Sequence, residues 1–371
     1  MAIKASGSSL AFSEIENEFG NNATRSLGAY RMNNLNIGAL TEVSLSRDGC
    51  GPSANNDIPV DNQTIKFSDF YNAKQNIYID LYSSNQNRVN AKNDKFFASN
   101  PSGNYLVVGG TNQTNGPKPS NTSGKKVIIH VTKLIGSAKG SQNNCALRTG
   151  SWNGGTELLV EVNGSGKIIG AGGDGGNGVE DAIGGPGQPG TGALGIDYSG
   201  TKIQTSGGSI VCGFGGGGAG GGGETKREGN WLGRGRGPRV DAGGGGGGGG
   251  MGIPAGNGGT SPEGSAHYGT AGSATAAGDG GEGAEVTSRG EATINGGKGG
   301  EGGFQGNTED GIPDQGQSGF LSGGEHEDAE TYRGGYGGAN GGAIRKASGS
   351  ISFTLIGSPT IIGTTNEIGV S

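Results

Sequence analysis

Eight consecutive glycines, Gly243 to Gly250, constrain this chain more than any other feature. Such a run has no apolar face to bury, and glycine loses more conformational freedom on ordering than any other residue. It is therefore either a slack linker or an element whose backbone N–H and C=O groups are all bonded from outside. Glycine makes up 88 of the 371 residues, against 30% hydrophobic and 6% aromatic. A conventional core of large side chains cannot extend along the whole length.

Glycine-dense runs recur at 170–178, 184–190, 213–223, 243–252, 256–259, 278–283, 296–303 and 334–342. Three have a triplet rhythm: GGDGGN at 172–177, GGKGGEGGF at 296–304 and GGYGG at 334–338. An extended helix with three residues per turn accounts for that period. A side chain at every third position lies along one edge and leaves two edges bare for close approach of neighbouring backbones. The reading is a bundle of polyglycine II helices, with the octaglycine run in its interior. A weak repeat, GKIIGAGGDGG (166–176), GSIVCGFGGGG (208–218) and GEATINGGKGG (290–300), places an apolar stub before a glycine run each time. If the eight runs alternate in direction, all three stubs fall at one proximal end, and SISFTLIG (350–357) lies beside TELLVEVNG (156–164). The distal turns are then about 179–183, 224–242, 260–277 and 304–333, and the proximal ones 191–212, 253–255 and 284–295.

Upstream, NIYIDLY, NYLVVGG, KKVIIHV and TELLVEVNG alternate or run apolar with β-branched residues and predict a small β domain. His130 points away from the Val127, Ile129 and Val131 face, as a surface or edge histidine. The first 75 residues contain two related motifs, FSEIENEFG (12–20) and FSDFYNA (67–73). Ser13 and Glu16 fit a capping box at the start of a short helix with Ile15 and Phe19 on one face. The expected fold is mainly β and irregular: an N-terminal module (1–75), a small all-β domain (76–169), a polyglycine II bundle with distal loops (170–342) and a C-terminal strand returning to the β domain (343–371).

Charge and cysteine content exclude several classes. A formal charge of −6 argues against a nucleic-acid surface. Cys50, Cys145 and Cys212 are odd in number and show no metal-ligand spacing, so they are expected as buried thiols. No apolar leader region opens the chain and no stretch approaches a membrane span.

Residues 166–371, with strand stubs opening into glycine runs, G-G-x triplets and a short C-terminal strand, resemble the receptor-binding adhesins at the tips of long tail fibres of T-even-like phages. FSEIENEFG and FSDFYNA resemble a module at the start of phage tail and fibre proteins, a resemblance that implies a virion-attachment module over 1–75. The resemblance implies a virion component that binds a host outer-membrane protein or surface glycan and contacts tail or baseplate proteins. The chain departs from the adhesin pattern in carrying its own N-terminal module and β domain, so it is expected either to cap a separate fibre as a single chain or to be itself a short fibre, a homo-oligomer with a trimer favoured.

Aromatic and arginine side chains on loops of a rigid scaffold are the residue types that most often supply binding energy. The candidates are Trp231, Arg234, Arg236 and Arg239 in 224–242, His267 and Tyr268 in 260–277, and Phe320 and Tyr332 in 304–333. No cofactor or metal is expected. No G-x-S-x-G motif occurs, and the three histidines, His130, His267 and His326, are far apart. Two rivals remain. A tail-spike-like glycan hydrolase would use Glu325 and Glu327 around His326 for acid/base work, where a solvated acidic loop is the simpler reading. A calcium-binding roll is suggested by GGDGGNGVE (172–180), although Asn177 stands where aspartate is needed and no tandem copy follows.

Overall fold

The structure is a computed structural model that describes residues 9–19, 27, 64–70, 77–81, 86–87, 89–90, 106–108, 122–124, 126–225, 240–287, 293–304, 315–322 and 329–370. Its strands wind into a three-sided parallel β-coil. The first turn is β1 (Ile77–Leu81), β2 (Gln86–Asn87) and β3 (Val89–Asn90), with β4 (Leu106–Val108) antiparallel on the free edge of β1. The second is β5 (Lys126–Val131), β6 (Leu134–Gly136) and β7 (Cys145–Arg148). The third is β8 (Glu157–Asn163), β9 (Lys167–Ile169) and β10 (Gly192–Ile196), and the fourth opens with β11 (Thr201–Ser206) and β12 (Ser209–Val211). The chain then departs through six short strands: β13 (Gly223–Thr225), β14 (Val240–Ala242), β15 (Glu285–Thr287), β16 (Thr293–Asn295), β17 (Phe320–Ser322) and β18 (Ala329–Thr331). It re-enters at β19 (Ile344–Lys346) and closes with β20 (Phe353–Ile356), β21 (Ile361–Ile362) and β22 (Glu367–Ile368).

Each side of the coil is one sheet, in the orders β4-β1-β5-β8-β11-β20, β2-β6-β9-β12-β21 and β3-β7-β10-β19-β22. Parallel register stacks like on like inside: Ile129, Val160 and Ile203 on one side, Ile135, Ile168 and Ile210 on the second, Leu147, Leu194 and Ile344 on the third. All nine are fully buried. Strands of three residues suffice because each contributes one inward side chain to a ladder running through the coil. The sheets extend past 169 to take in 192–211 and 344–368, and β20 pairs with β11, which separates it from TELLVEVNG in β8. His130 is buried at 6% exposure, with Nε2 3.2 Å from the Asn163 amide nitrogen, which corrects the expected surface histidine.

Glycine runs are inserted between β9 and β10 and between β12 and β19. Backbone bonds among the described residues define ten: run 1 (170–178), run 2 (184–191), run 3 (213–223), run 4 (243–252), run 5 (254–260), run 6 (267–273), run 7 (278–284), run 8 (296–303), run 9 (315–319) and run 10 (332–342). Successive N–H groups of run 4 turn to a new neighbour at each residue. Gly247 donates to Gly176 in run 1, Gly248 to Gly300 in run 8 and Gly249 to Thr270 in run 6. The cycle repeats after three residues. Carbonyls of the same run accept from runs 3, 5 and 7 in the same rotation. Run 4 thus has six bonded neighbours, and run 3 likewise meets runs 1, 2, 4, 8, 9 and 10. The other eight close a ring around this pair in the order 1-2-10-9-8-7-6-5.

Position in the lattice explains the sequence of each run. A Cβ at Gly247 would be driven into the carbonyl oxygen of Gly217, and one at Gly248 into that of Gly278. No third edge is free, so the triplet side chain disappears. Perimeter runs keep it: Asn177 in run 1, Asn257 and Thr260 in run 5, and Glu301 in run 8 are exposed. At the coil end, Phe214 and Met251 are buried in the same apolar cluster as the coil interior, with Ile253 and Phe304 packed against it.

Run 6 and run 9 have few glycines and escape a count of glycine density. Run 6 reverses the assigned directions of 278–283 and 296–303, and run 9 restores the alternation. The third stub, GEATINGGKGG, consequently lies at the distal end in β16, not the proximal end. Segment 284–295 is likewise distal, whereas 274–277 and 304–314 connect runs at the proximal end.

At the N-terminus, α1 (Phe12–Phe19) buries Ile15, and Phe12 meets Phe67 edge-to-face with ring centroids 6.1 Å apart. The two related motifs therefore touch. The cap differs from expectation, because the Ala11 N–H donates to the Glu14 carboxylate at 2.9 Å. Cys145 and Cys212 are buried free thiols, while Cys50 lies outside the described residues.

Two predictions follow from burial. Gly247→Ala should lower stability by about 3 kcal/mol or prevent folding, since backbone cannot yield as a side chain does, whereas Glu301→Ala should stay within about 0.5 kcal/mol; denaturant titration measures both. Burial, aided by the charge of Glu367, pushes the Cys212 thiol from 9.0 up to about 12. The folded thiol keeps a proton that the unfolded one loses, so stability is full below about pH 9 and falls as pH rises toward 12. Denaturation midpoints measured across that window should decline less steeply in Cys212→Ala.

Candidate functional site at the distal end of the bundle

Alternating runs send every second connection to the end away from the β-coil. Runs 1 and 2 join there through 179–183, and runs 5 and 6 through 261–266. Runs 3, 7 and 9 end in β13, β15 and β17, while runs 4, 8 and 10 begin from β14, β16 and β18. These strands form two antiparallel sheets, β14-β13-β18 and β15-β16-β17. The connections that link these strands in sequence, 226–239, 288–292 and 323–328, lie outside the described residues. Their roots are fixed by paired strands on a backbone lattice. The chemistry there depends on which side chains the strands and connections carry.

VDA, GET and AET share an acid at the middle position, and register sets all three abreast: Glu224 lies opposite both Asp241 and Glu330. Opposed residues share a face, so the three carboxylates form a row, with Glu224 buried. Like charges directly opposite disfavour a sheet unless counter-charge is supplied. Tyr332 supplies hydrogen bonding, its hydroxyl lying 3.1 Å from Glu330 Oε2 and 3.5 Å from Glu224 Oε2. The row stands at the root of the connection that carries Trp231, Arg234, Arg236 and Arg239. These four, and Glu325, His326 and Glu327, lie outside the described residues.

The remaining candidates divide into two places. Phe320, 53% exposed on β17, is beside Tyr332, because the Gly319 N–H donates to the Tyr332 carbonyl at 3.0 Å. His267 and Tyr268 open run 6 on the opposite flank. Nδ1 of His267 donates to the Glu282 carbonyl at 3.0 Å, and Tyr268 is 42% exposed. Sequence reasoning missed a further cluster on runs 2 and 10. Tyr336 is 57% exposed, with the Arg333 guanidinium 5.1 Å from its ring centroid and donating to its hydroxyl at 2.8 Å. Exposed Ile183 adjoins it, since Gly184 donates to the Arg333 carbonyl. The GGYGG triplet marks Tyr336 as an outward residue, but nothing local pairs it with Ile183.

The motif read as a calcium rival has another use. Asp174 Oδ1 accepts the Asn257 N–H at 2.7 Å and Asn177 Oδ1 the Thr260 N–H at 2.9 Å. Among the described residues no group of three or more histidine, cysteine, aspartate or glutamate side chains is arranged to hold a metal, and no helix is long and apolar enough to cross a membrane.

A family model described as phage tail fibre adhesin Gp38 matches residues 100–366, a span that takes in most of the coil and the whole bundle. The chain belongs to the phage tail fibre adhesin Gp38 family. It is a tail component of the virion and serves host attachment. Comparison with the curated proteins and with the solved structures gives no match.

In this adhesin, Tyr332→Phe should reduce stability by about 1 kcal/mol through loss of its hydrogen bond to the acidic row. Phe320→Ala should remain within about 0.5 kcal/mol, as expected for an exposed side chain. Calorimetry on the two variants checks the contrast.

Proposed function

We propose that this adhesin binds a host surface receptor, an outer-membrane protein or a glycan, through the connections at the distal end of the glycine bundle. The observation that carries the reading is the alternation of ten runs, which delivers five connections to one end of a rigid lattice. Loops on a rigid support lose little further entropy when they bind. Trp231, Arg234, Arg236, Arg239, His267, Tyr268, Phe320 and Tyr332 are the proposed contact residues, with Tyr332 acting also as a brace for the acidic row. Binding proceeds without cleavage of the receptor, in contrast to a tail-spike hydrolase.

Residues 1–75 are proposed to join the chain to the tail. The contact between Phe12 and Phe67 supports treating the two motifs as one unit. Partners on the virion side are tail or baseplate proteins, and a homo-oligomer, trimer favoured, is proposed for assembly. Leu355, Ile356 and Ile368 on the last, unstacked turn of the coil are exposed apolar side chains suited to such contacts.

Exchanging 226–239 or 323–328 for the corresponding segment of a related fibre should change host range while leaving thermal stability intact. Exchanging the proximal 305–314 should leave host range unchanged. Purified capsule or lipopolysaccharide should stay uncut. If distal exchanges leave adsorption unaltered while surface changes within 126–169 abolish it, recognition lies on the β-coil instead.

A further inference from the structure

A lattice of threefold glycine helices has a weakness that ordinary cores lack. Its backbone bonding repeats every three residues, so a run displaced by one turn, ~9 Å at 3.1 Å per residue, finds the same partners again except at its ends. Glycine supplies no side chain to tell the two registers apart. Run 5 is exposed to this ambiguity, because it lies on the perimeter and its glycines 256 and 259 meet only backbone, donating to run 4 and accepting from Gly272 and Gly269 of run 6. Its N–H groups at 257 and 260 face a direction in which the lattice has no further run.

Side chains of run 1 fill that direction. The triplet positions of run 1 are Ala171, Asp174 and Asn177, and those of run 5 are Pro254, Asn257 and Thr260. Bonds from Gly172, Gly175 and Gly178 to the carbonyls of 254, 257 and 260 set these triplets side by side. Asp174 then accepts from Asn257 and Asn177 from Thr260, one turn apart. The third pair is Ala171 with Pro254, a side chain without an acceptor against a residue without an N–H. A slip of one turn in one direction sets Asn257 against Ala171, where its N–H finds no oxygen. The opposite slip sets Asp174 against Pro254, where its oxygen finds no donor. Only the observed register satisfies both pairs and leaves nothing unmatched. Lys139, in the connection between β6 and β7, bonds the same Asp174 oxygen and ties this lock to the β-coil.

We propose that Asp174 and Asn177 are positioning residues that lock the axial register of run 5 against run 1, with Ala171 and Pro254 excluding the registers one turn away. The lock fixes the height of the distal turn at 261–266 and of everything run 6 begins with, His267 and Tyr268 included. It is a property of the bundle and holds whether or not the distal turns meet a receptor.

Amide exchange on the full chain tests it. In Asp174→Ala/Asn177→Ala the amides of Asn257 and Thr260 lose their acceptors directly. Gly256 and Gly259, bonded to run 4, should also exchange at least about fivefold faster, because one lost hydrogen bond of ~1 kcal/mol changes a local equilibrium by that factor. The exchanged pair Asp174→Asn/Asn177→Asp keeps an oxygen at both positions and should protect all four amides as the parent does. The proposal is overturned if Gly256 and Gly259 stay fully protected in the alanine variant, since the side chains would then be local caps. It is also overturned if the exchanged pair behaves like the alanine variant. Should the double alanine chain fail to fold, Asn177→Ala alone is read at the same amides, with the same two outcomes.

Discussion

Everything in this adhesin rests on the N–H···O=C bond made between runs instead of within them. A helix of the α type satisfies its own backbone, so its side chains are free to pack. A glycine run satisfies nothing by itself. One bond per residue contributes net ~0.5–1.5 kcal/mol, and fixing one backbone residue costs ~1–2 kcal/mol, so a glycine run at best breaks even on hydrogen bonds. Weak Cα–H···O contacts, open only to backbones that approach this closely, add ~0.5–1 kcal/mol each. Cohesion is therefore collective: run 4 is ordered because six neighbours are, and they are ordered because the perimeter is closed. Phe214 and Met251, buried where the bundle meets the coil, supply the apolar anchoring that glycine cannot.

The coil and the bundle are two solutions to the same constraint. In the coil, parallel strands stack with identical spacing, and ladders such as Ile135, Ile168 and Ile210 fill the interior. In the bundle, the interior is backbone. The junction between them needs side chains that belong to both, whereas the corner of the coil where β7 and β10 end, away from that junction, holds the buried ion pair of Arg148 with Asp197. Arg148 donates from two guanidinium nitrogens while the Gly150 N–H reaches the same carboxylate. Such a pair offsets its desolvation only when the remaining oxygens and N–H groups are bonded.

Much of the bundle is legible in the residues, and the omissions have a physical cause. Gly243 to Gly250 can be read as interior because an interior run has no free edge for a side chain, and the absence of the triplet is the signature of six neighbours. The same logic explains why HYGTAGS and QGQSG are hard to read as runs. A perimeter run needs glycine only where it faces inward, and in run 6 that demand reduces to Gly269 and Gly272. Glycine density marks the centre of the lattice in full and its rim only in part. The direction of 278–283 and of 296–303 depends on counting the rim correctly, so GEATINGGKGG was expected at the wrong end. In the coil, KVIIHV and ELLVEVN announce themselves, whereas GALGI and IRK are too short to show a period. At the distal end, the acidic row of Asp241, Glu224 and Glu330 joins residues up to 106 positions apart and exists only through strand register.

The way the runs are inserted bears on how such a molecule changes. Both insertions leave the coil after a strand of its second side and return to a strand of its third, with two runs in one excursion and eight in the other. The number must be even, since an odd number would leave the chain at the distal end with no way back to the coil. Each added pair on the perimeter brings one more distal connection and meets the existing lattice chiefly through backbone groups, which are the same at every position. A connection can then vary in length and chemistry without asking the runs beneath it to repack. Side chains that would normally transmit such a change are confined to the rim, where Asp174 and Asn177 hold register, and to the coil junction. The glycine lattice thus separates a distal surface that is free to change from the scaffold beneath it.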